Sequence, residues 1–143
     1  MMDREAQRTI DAVTIGEELG PISIPITLQR LVMEAGANRD FSLIHHDREV
    51  ARATGAPDAY MNTFFIAGMF ERLLREWMGS QGRIRRICNL RMKVFNCVGD
   101  TVIFKGRVDG VDAANNQVSI TLSSETANGV TVTADAVVSL PGD

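Results

Sequence analysis

The only two histidines of the chain, His45 and His46, stand side by side in the segment NRDFSLIHHD, residues 38–47, between Asp40 and Asp47. An imidazole exchanges a proton near neutral pH, and a carboxylate can fix the orientation of a water or take part in the transfer. Asp40 and His45 are five residues apart, a spacing that does not share a face on a regular helix. Gly36 before them and a helix cap at Asp47 after them imply a loop, and a loop can turn both side chains toward one point. Taken alone, the spacing favours a plainer arrangement: a solvated loop in which Asp40 caps a turn and the histidines cover a helix end. Two features move the balance. The segment precedes a strongly apolar stretch, which calls for a polar lid only where something binds. Phe41, Leu43 and Ile44 are also apolar for a free loop, which implies packing against protein or ligand. His46 reads as an exposed residue at a helix start.

The elements that must position this pair follow from patterning. Residues 22–26 alternate as a strand, with Pro25 favouring a sheet edge because it cannot donate to a ladder. Thr27 caps a short helix over 28–35 that Gly36 ends. Asp47 caps another over 48–54, with Glu49 favourable near its positive end. Residues 55–58, Gly-Ala-Pro-Asp, break the chain. The longest helical signal runs from Asn62 to Met78 and closes at Gly79. Asn62 and Thr63 are both good caps, and residues 64–70 leave no polar face, so that half is expected to be buried on all sides. The second half is amphipathic, with Leu73, Leu74 and Trp77 inward and Glu71–Arg75 and Arg72–Glu76 spaced to pair.

Beyond the helix the pattern has period two. Ile84, Cys88, Leu90, Met92 and Val94 share one face of a strand that Arg86 interrupts. Val102, Phe104, Gly106 and Val108 share a face of the next; Val118, Ile120 and Leu122 of a third; Val130, Val132, Ala134, Ala136 and Val138 of a fourth. Turns are expected at 98–100, Asn115-Asn116 and Asn128-Gly129. The economical packing is an α+β hotdog fold: an antiparallel meander curled around one long central helix, a single domain over residues 1–143. One sheet and one helix leave edges and apolar helix surface uncovered, so an oligomer is expected, most simply a dimer.

Composition narrows the classes further. The chain has 143 residues, 45% apolar and 23% charged, with a net charge of −3, which suits one soluble domain and argues against nucleic-acid binding through general basicity. The charged N-terminus, with Asp3, Arg4, Glu5, Arg8 and Asp11, does not read as a signal peptide. No apolar run is long enough to span a bilayer. Cys88 and Cys97 lack metal-ligand spacing and read as free thiols in a reducing cytoplasm. Ser123 and Ser124 have no histidine or aspartate nearby in sequence, so a serine-hydrolase triad gets no support. Arg83, Arg85, Arg91 and Lys93 form either a solvated strip or a cradle for coenzyme A phosphates. Met33, Met61, Met69 and Met78 are core, or line an adaptable apolar pocket.

The run RDFSLIH, residues 39–45, resembles the hydratase motif of the MaoC-like (R)-specific enoyl-CoA hydratases, D-x-N-P-I-H, with Asp40 on its aspartate and His45 on its histidine. The likeness extends from about Thr27 through the closing strands. It is closer to the small hotdog subunit of steroid side-chain enoyl-CoA hydratases, in the style of RDFSLIHHDRE, in Asn62 and in the helix end Trp77-Met78-Gly79. The resemblance implies reversible hydration of a 2-enoyl-CoA to a 3-hydroxyacyl-CoA, with Asp40 and His45 catalytic and Asn62 and Thr63 at the substrate. It implies no metal and no cofactor beyond the coenzyme A of the substrate. The implied assembly is a homodimer or a heteromer with a second MaoC-like chain, in the cytoplasm. Ser42-Leu43 replace Asn-Pro of the motif. Asn62-Thr63 replace the usual His-Gly, whose backbone N–H holds the thioester oxygen. Any residue but proline supplies that N–H, while a side chain there reshapes the acyl channel, which points to a bulky acyl group such as a steroid side chain. Hotdog folds also host thioesterases, and a non-catalytic acyl-CoA-binding subunit is the alternative of another class.

Overall fold

A computed structural model describes residues 7–142; Asp3, Arg4 and Glu5 of the charged N-terminus lie outside them. Five strands form one antiparallel sheet: β1 (Glu18–Pro25), β2 (Arg83–Met92), β3 (Thr101–Asp112), β4 (Gln117–Thr126) and β5 (Gly129–Ser139), in the order β1-β3-β4-β5-β2. Three helices, α1 (Leu28–Ala37), α2 (Arg48–Ala53) and α3 (Thr63–Met78), lie between β1 and β2. The sheet curls around α3. Val102, Phe104, Val108, Val118, Ile120, Leu122, Val132, Ala134, Ala136 and Val138 face inward, against Ile66, Phe70, Leu73, Leu74 and Met78 of the helix. Phe70 meets Phe104 edge to face, with ring centroids 5.4 Å apart. Truncating Phe70 to alanine in such a core costs about 3–5 kcal/mol.

The boundaries of α3 are set by chemistry at its ends. Asn62 is extended and its Oδ1 accepts from the Phe65 N–H at 2.7 Å, satisfying a donor that the first turn cannot. Gly79 stops the helix at φ 79°, a left-handed value that a side chain would strain. Both expected ion pairs of the second half form: Arg75–Glu71 at 2.8 Å and Arg72–Glu76 at 2.7 Å.

Several expectations are corrected. The meander holds only for β3-β4-β5. β2 lies at the far edge beside β5, so residues 98–100 are not a hairpin turn. The chain leaving β2 drops off the sheet and runs beside residues 59–61. Met61 N–H donates to Asn96 O at 3.0 Å, Val98 N–H to Ala59 O at 2.9 Å, and Tyr60 bridges Cys97. The register of β2 shifts between Ile84 and Arg86 and again between Cys88 and Arg91. Each bulge turns the following side chains over, so Ile84, Ile87, Leu90 and Met92 pack on the core. Cys88, paired with Asp135, takes the outer face, and Arg86 stands outside instead of interrupting the inner row. A shift between Ser124 and Glu125 likewise buries Thr131 and leaves Val130 exposed. The basic strip is also altered, because Arg85 Nε donates to Ser139 Oγ at 3.0 Å and Lys93 follows the strand's end.

Gly36 lies inside α1, whose C-cap is Asn38. The left-handed residue that ends the helix is Arg39, at φ 55°, and not Gly36. Met33 is exposed, while Met61, Met69 and Met78 belong to the core. The first half of α3 is not buried on all sides: Phe64 is 64% exposed and Gly68 is exposed. Cys88 and Cys97 are free thiols. Among the described residues no helix is long and apolar enough to cross a membrane.

Candidate active site

Asp40 owes its place to the way α1 ends. Arg39 adopts the left-handed conformation at φ 55°. Arg39 N–H donates to Gly36 O at 3.1 Å and Asp40 N–H to Ala35 O at 2.9 Å, the paired bonds of a Schellman motif. His45 sits on a 3-10 turn, Leu43–His45, directly before α2. Asp47 caps α2, its Oδ1 accepting from Glu49 N–H at 3.0 Å and Val50 N–H at 3.1 Å. The loop expected from sequence therefore contains one tight turn, and that turn aims the imidazole inward: His45 is only 6% exposed.

The two groups meet. His45 Nε2 lies 3.2 Å from Asp40 Oδ2. His45 Nδ1 lies 2.8 Å from Tyr60 O. A carbonyl only accepts, so Nδ1 carries a proton. Nε2 then faces a carboxylate oxygen, and a hydrogen bond between them needs one further proton, held on the imidazole or on the carboxyl. Asn62, 5% exposed, closes the arrangement: its Nδ2 donates to the same Asp40 Oδ2 at 3.2 Å while its Oδ1 caps α3. Asp40 Oδ1 accepts from Ser42 N–H at 3.3 Å. Both carboxylate oxygens are thus oriented.

This cluster lines a cleft of about 330 Å³ with Ile44, Tyr60, Met61, Thr63, Phe64, Met92 and Phe95. Thr63 is the first residue of α3, where N–H groups lack helical partners and the dipole is positive. All four site residues named from sequence, Asp40, His45, Asn62 and Thr63, line this one cleft. His46 does not line it. Of the described methionines only Met61 and Met92 do, and the basic strip is absent from its walls. Phe41 and Leu43 are 75% and 51% exposed, so the described chain does not supply the covering expected for them.

Sequence reasoning missed Tyr60 and Phe95. The contribution of Tyr60 to the dyad is a main-chain carbonyl, which any residue could offer and no motif announces. Its ring stands edge-on to His45 at 5.4 Å and tilted against Phe95 at 4.4 Å, and burial pushes its phenol up. Phe95 reaches the cleft because the chain after β2 leaves the sheet. Burial likewise raises the Cys97 thiol, whose Sγ contacts Asp58 O at 3.8 Å.

A carboxylate and an imidazole 3.2 Å apart beside a helix N-terminus, inside a sheet wrapped on that helix, make this a hotdog fold with a candidate acid–base site. The comparisons are more particular. The chain is 33% identical over 105 residues to the 3-oxo-4,17-pregnadiene-20-carboxyl-CoA hydratase beta subunit of Mycobacterium tuberculosis, covering 73% of this chain and 81% of that one. It superposes on a chain of the ChsH1-ChsH2 complex from the same organism with a TM-score of 0.84 and 30% identity, covering 90% and 98% of the two chains. An (R)-hydratase from A. caviae involved in PHA biosynthesis shares the fold, with a TM-score of 0.83 at 23% identity over 91% and 98%. No family model matches the chain. The chain belongs to the MaoC-like hydratase family.

Proposed function

We propose that this chain adds water reversibly to a 2-enoyl-CoA to give a 3-hydroxyacyl-CoA, with Asp40 and His45 as its acid–base pair. The observation that carries the reading is the 3.2 Å contact between these groups on the cleft at the amino end of α3. The thioester carbonyl is placed against the N–H of Thr63, where the helix dipole and backbone donors stabilise the enolate that forms. A water held by Asp40 and His45 attacks the β-carbon and gives up a proton to the pair; a proton returns to the α-carbon, so the pair ends as it began. Enolate charge met by backbone donors calls for no metal, and the reading uses no cofactor beyond the coenzyme A of the substrate. Free Cys88 and Cys97 suit a reducing cytoplasm.

The acyl group is taken to be bulky, of the steroid side-chain kind. Supporting this are the hydratase activity for which the mycobacterial relative is named and a cleft flanked by exposed Phe64. The same exposure favours work beside a second MaoC-like chain. Phe41, Leu43 and Phe64 are large apolar groups that the described chain leaves bare, and one similar structure is a two-component complex. The test is a panel of enoyl-CoA thioesters, short-chain to steroid, incubated with the chain alone and with candidate MaoC-like partners. Loss of enoyl absorbance with a mass gain of one water supports hydration. Release of free coenzyme A thiol without hydration would move the assignment to a thioesterase, and inactivity with every partner to a binding subunit.

A further inference from the structure

His45 depends on a three-residue turn followed by a six-residue helix, and helices that short do not stand on their own in water. Something must press this segment against the strand-like stretch carrying Tyr60 O. A charged fork braces the same two segments, beside a weaker bond from Arg52 Nε to Pro57 O at 3.3 Å. Arg48, three residues after His45, donates from Nε to Asp58 Oδ1 at 2.8 Å and from a terminal nitrogen to Asp58 Oδ2 at 2.7 Å. Asp58, two residues before Tyr60, is 8% exposed. Arg52 approaches the same Oδ2 at 3.4 Å, and Ala59 N–H donates to Oδ1 at 2.8 Å. The far side of the Tyr60 stretch is fixed by its bonds to residues 96 and 98. The hydrogen bond of His45 Nδ1 to Tyr60 O and the fork of Arg48 on Asp58 are thus two rungs between the same pair of chain segments.

We infer that the Arg48–Asp58 pair is a positioning device for the acid–base site: it sets the distance between the turn bearing His45 and the carbonyl of Tyr60, and so holds the imidazole toward Asp40. A guanidinium–carboxylate fork fixes both distance and orientation, which a lysine at position 48 would not reproduce. Asp58 touches neither the cleft nor the dyad, so its effect passes through Tyr60 and His45. Displacing a reacting group by about 1 Å costs on the order of a hundredfold in rate.

The inference rests on the hydratase reading for its kinetic arm alone. Arg48→Lys, Arg48→Ala, Asp58→Asn and the double variant Arg48→Ala/Asp58→Ala are compared with wild type. The imidazole resonances of His45 are followed by NMR in the full chain, without substrate. Wild type is expected to show a slowly exchanging Nδ1–H; Arg48→Lys and Arg48→Ala are expected to lose that protection while the amide spectrum of the sheet is retained. In turnover, kcat should fall about ten- to a hundredfold with KM within about twofold, and the double variant should be no slower than the worse single one. An unchanged Nδ1–H in folded Arg48→Ala overturns the inference whatever the substrate proves to be. So does a kcat matching wild type. Because Arg48→Ala can also weaken folding, Arg48→Lys provides the second arm: a protected Nδ1–H there shows that charge alone suffices and refutes the fork. Absence of turnover in wild type would refute the hydratase reading and leave the NMR result to judge the brace.

Discussion

Asn62 does two things with one amide, and the two can be separated. Its oxygen caps α3 through the Phe65 N–H at 2.7 Å, and its nitrogen donates to Asp40 Oδ2 at 3.2 Å. Asn62→Asp keeps an oxygen for the cap, and a negative charge suits a helix N-terminus. It also puts a carboxylate where the donor stood. At the present 3.2 Å spacing two unit charges repel by about 1 kcal/mol at the dielectric of water and about 5 kcal/mol at an effective dielectric of 20. A half-buried Asp40 beside a cleft lies between these limits, so Asp40 is expected to swing away from His45. Asn62→Ala instead loses the cap, about 1 kcal/mol, and leaves Asp40 Oδ2 without the amide donor. A hydrogen bond to a charged group is worth about 1.5–3 kcal/mol, or about ten- to a hundredfold in kcat if it is realised in the transition state. Thermal melting and enoyl-CoA turnover are measured side by side. Asn62→Asp should melt near wild type and lose most turnover, whereas Asn62→Ala should melt lower and retain more of it. If Asn62→Asp hydrates as fast as wild type, or if turnover tracks melting temperature across both variants, orientation of Asp40 by Asn62 is refuted.

Two further outcomes follow from the same geometry. Thr63→Pro removes the N–H at the first position of α3, where proline is tolerated; the preceding Asn62, at φ −77° and ψ 166°, already has the extended form that proline requires of its neighbour. Turnover should fall about a hundred- to a thousandfold with helix content unchanged by circular dichroism, while Thr63→Gly stays active; an active Thr63→Pro would remove this N–H from the mechanism. The Arg48 fork pushes the Asp58 carboxyl down to about 2 from 3.8. Its folded-state value is below its unfolded one, so its stabilisation is full above about pH 4 and is lost as pH falls toward 2. The difference in melting temperature between wild type and Asp58→Asn should therefore be constant above pH 5 and shrink below 4; a difference that persists unchanged at pH 2 would contradict the ion pair.

The parts of this fold that local chemistry determines were legible in the chain. Asn62 and Gly79 mark the ends of α3 because a cap acceptor and a left-handed residue leave plain signatures. The inward rows of β3 from Val102 to Val108 and of β4 from Val118 to Leu122 follow strict alternation. What was hidden depends on partners distant in sequence. Nothing near Met92 says that β2 will cross to the far edge, because a turn-like Val-Gly-Asp serves a hairpin and a crossover equally well. The bulges of β2 and β5 reverse which residues face the core, which moved Cys88 and Val130 outward against their period. At the site, Asp40 and His45 were visible because side-chain types carry the chemistry. The Tyr60 carbonyl and the Arg48–Asp58 brace were not, since each gains its meaning only when two loops are laid together. The bare Phe64 on an otherwise apolar helix end shows the limit of reading burial from hydrophobicity, because composition alone does not separate a core face from an exposed apolar one.

The most direct measurement is the fate of water oxygen. With an accepted enoyl-CoA in heavy-oxygen water, the wild-type chain, with its partner if one is needed, should place the label on the β-carbon hydroxyl of an intact thioester. His45→Ala and Asp40→Asn, correctly folded, should fail to do so by orders of magnitude. Label appearing in a free carboxylate, or full incorporation by either variant, would contradict the assignment.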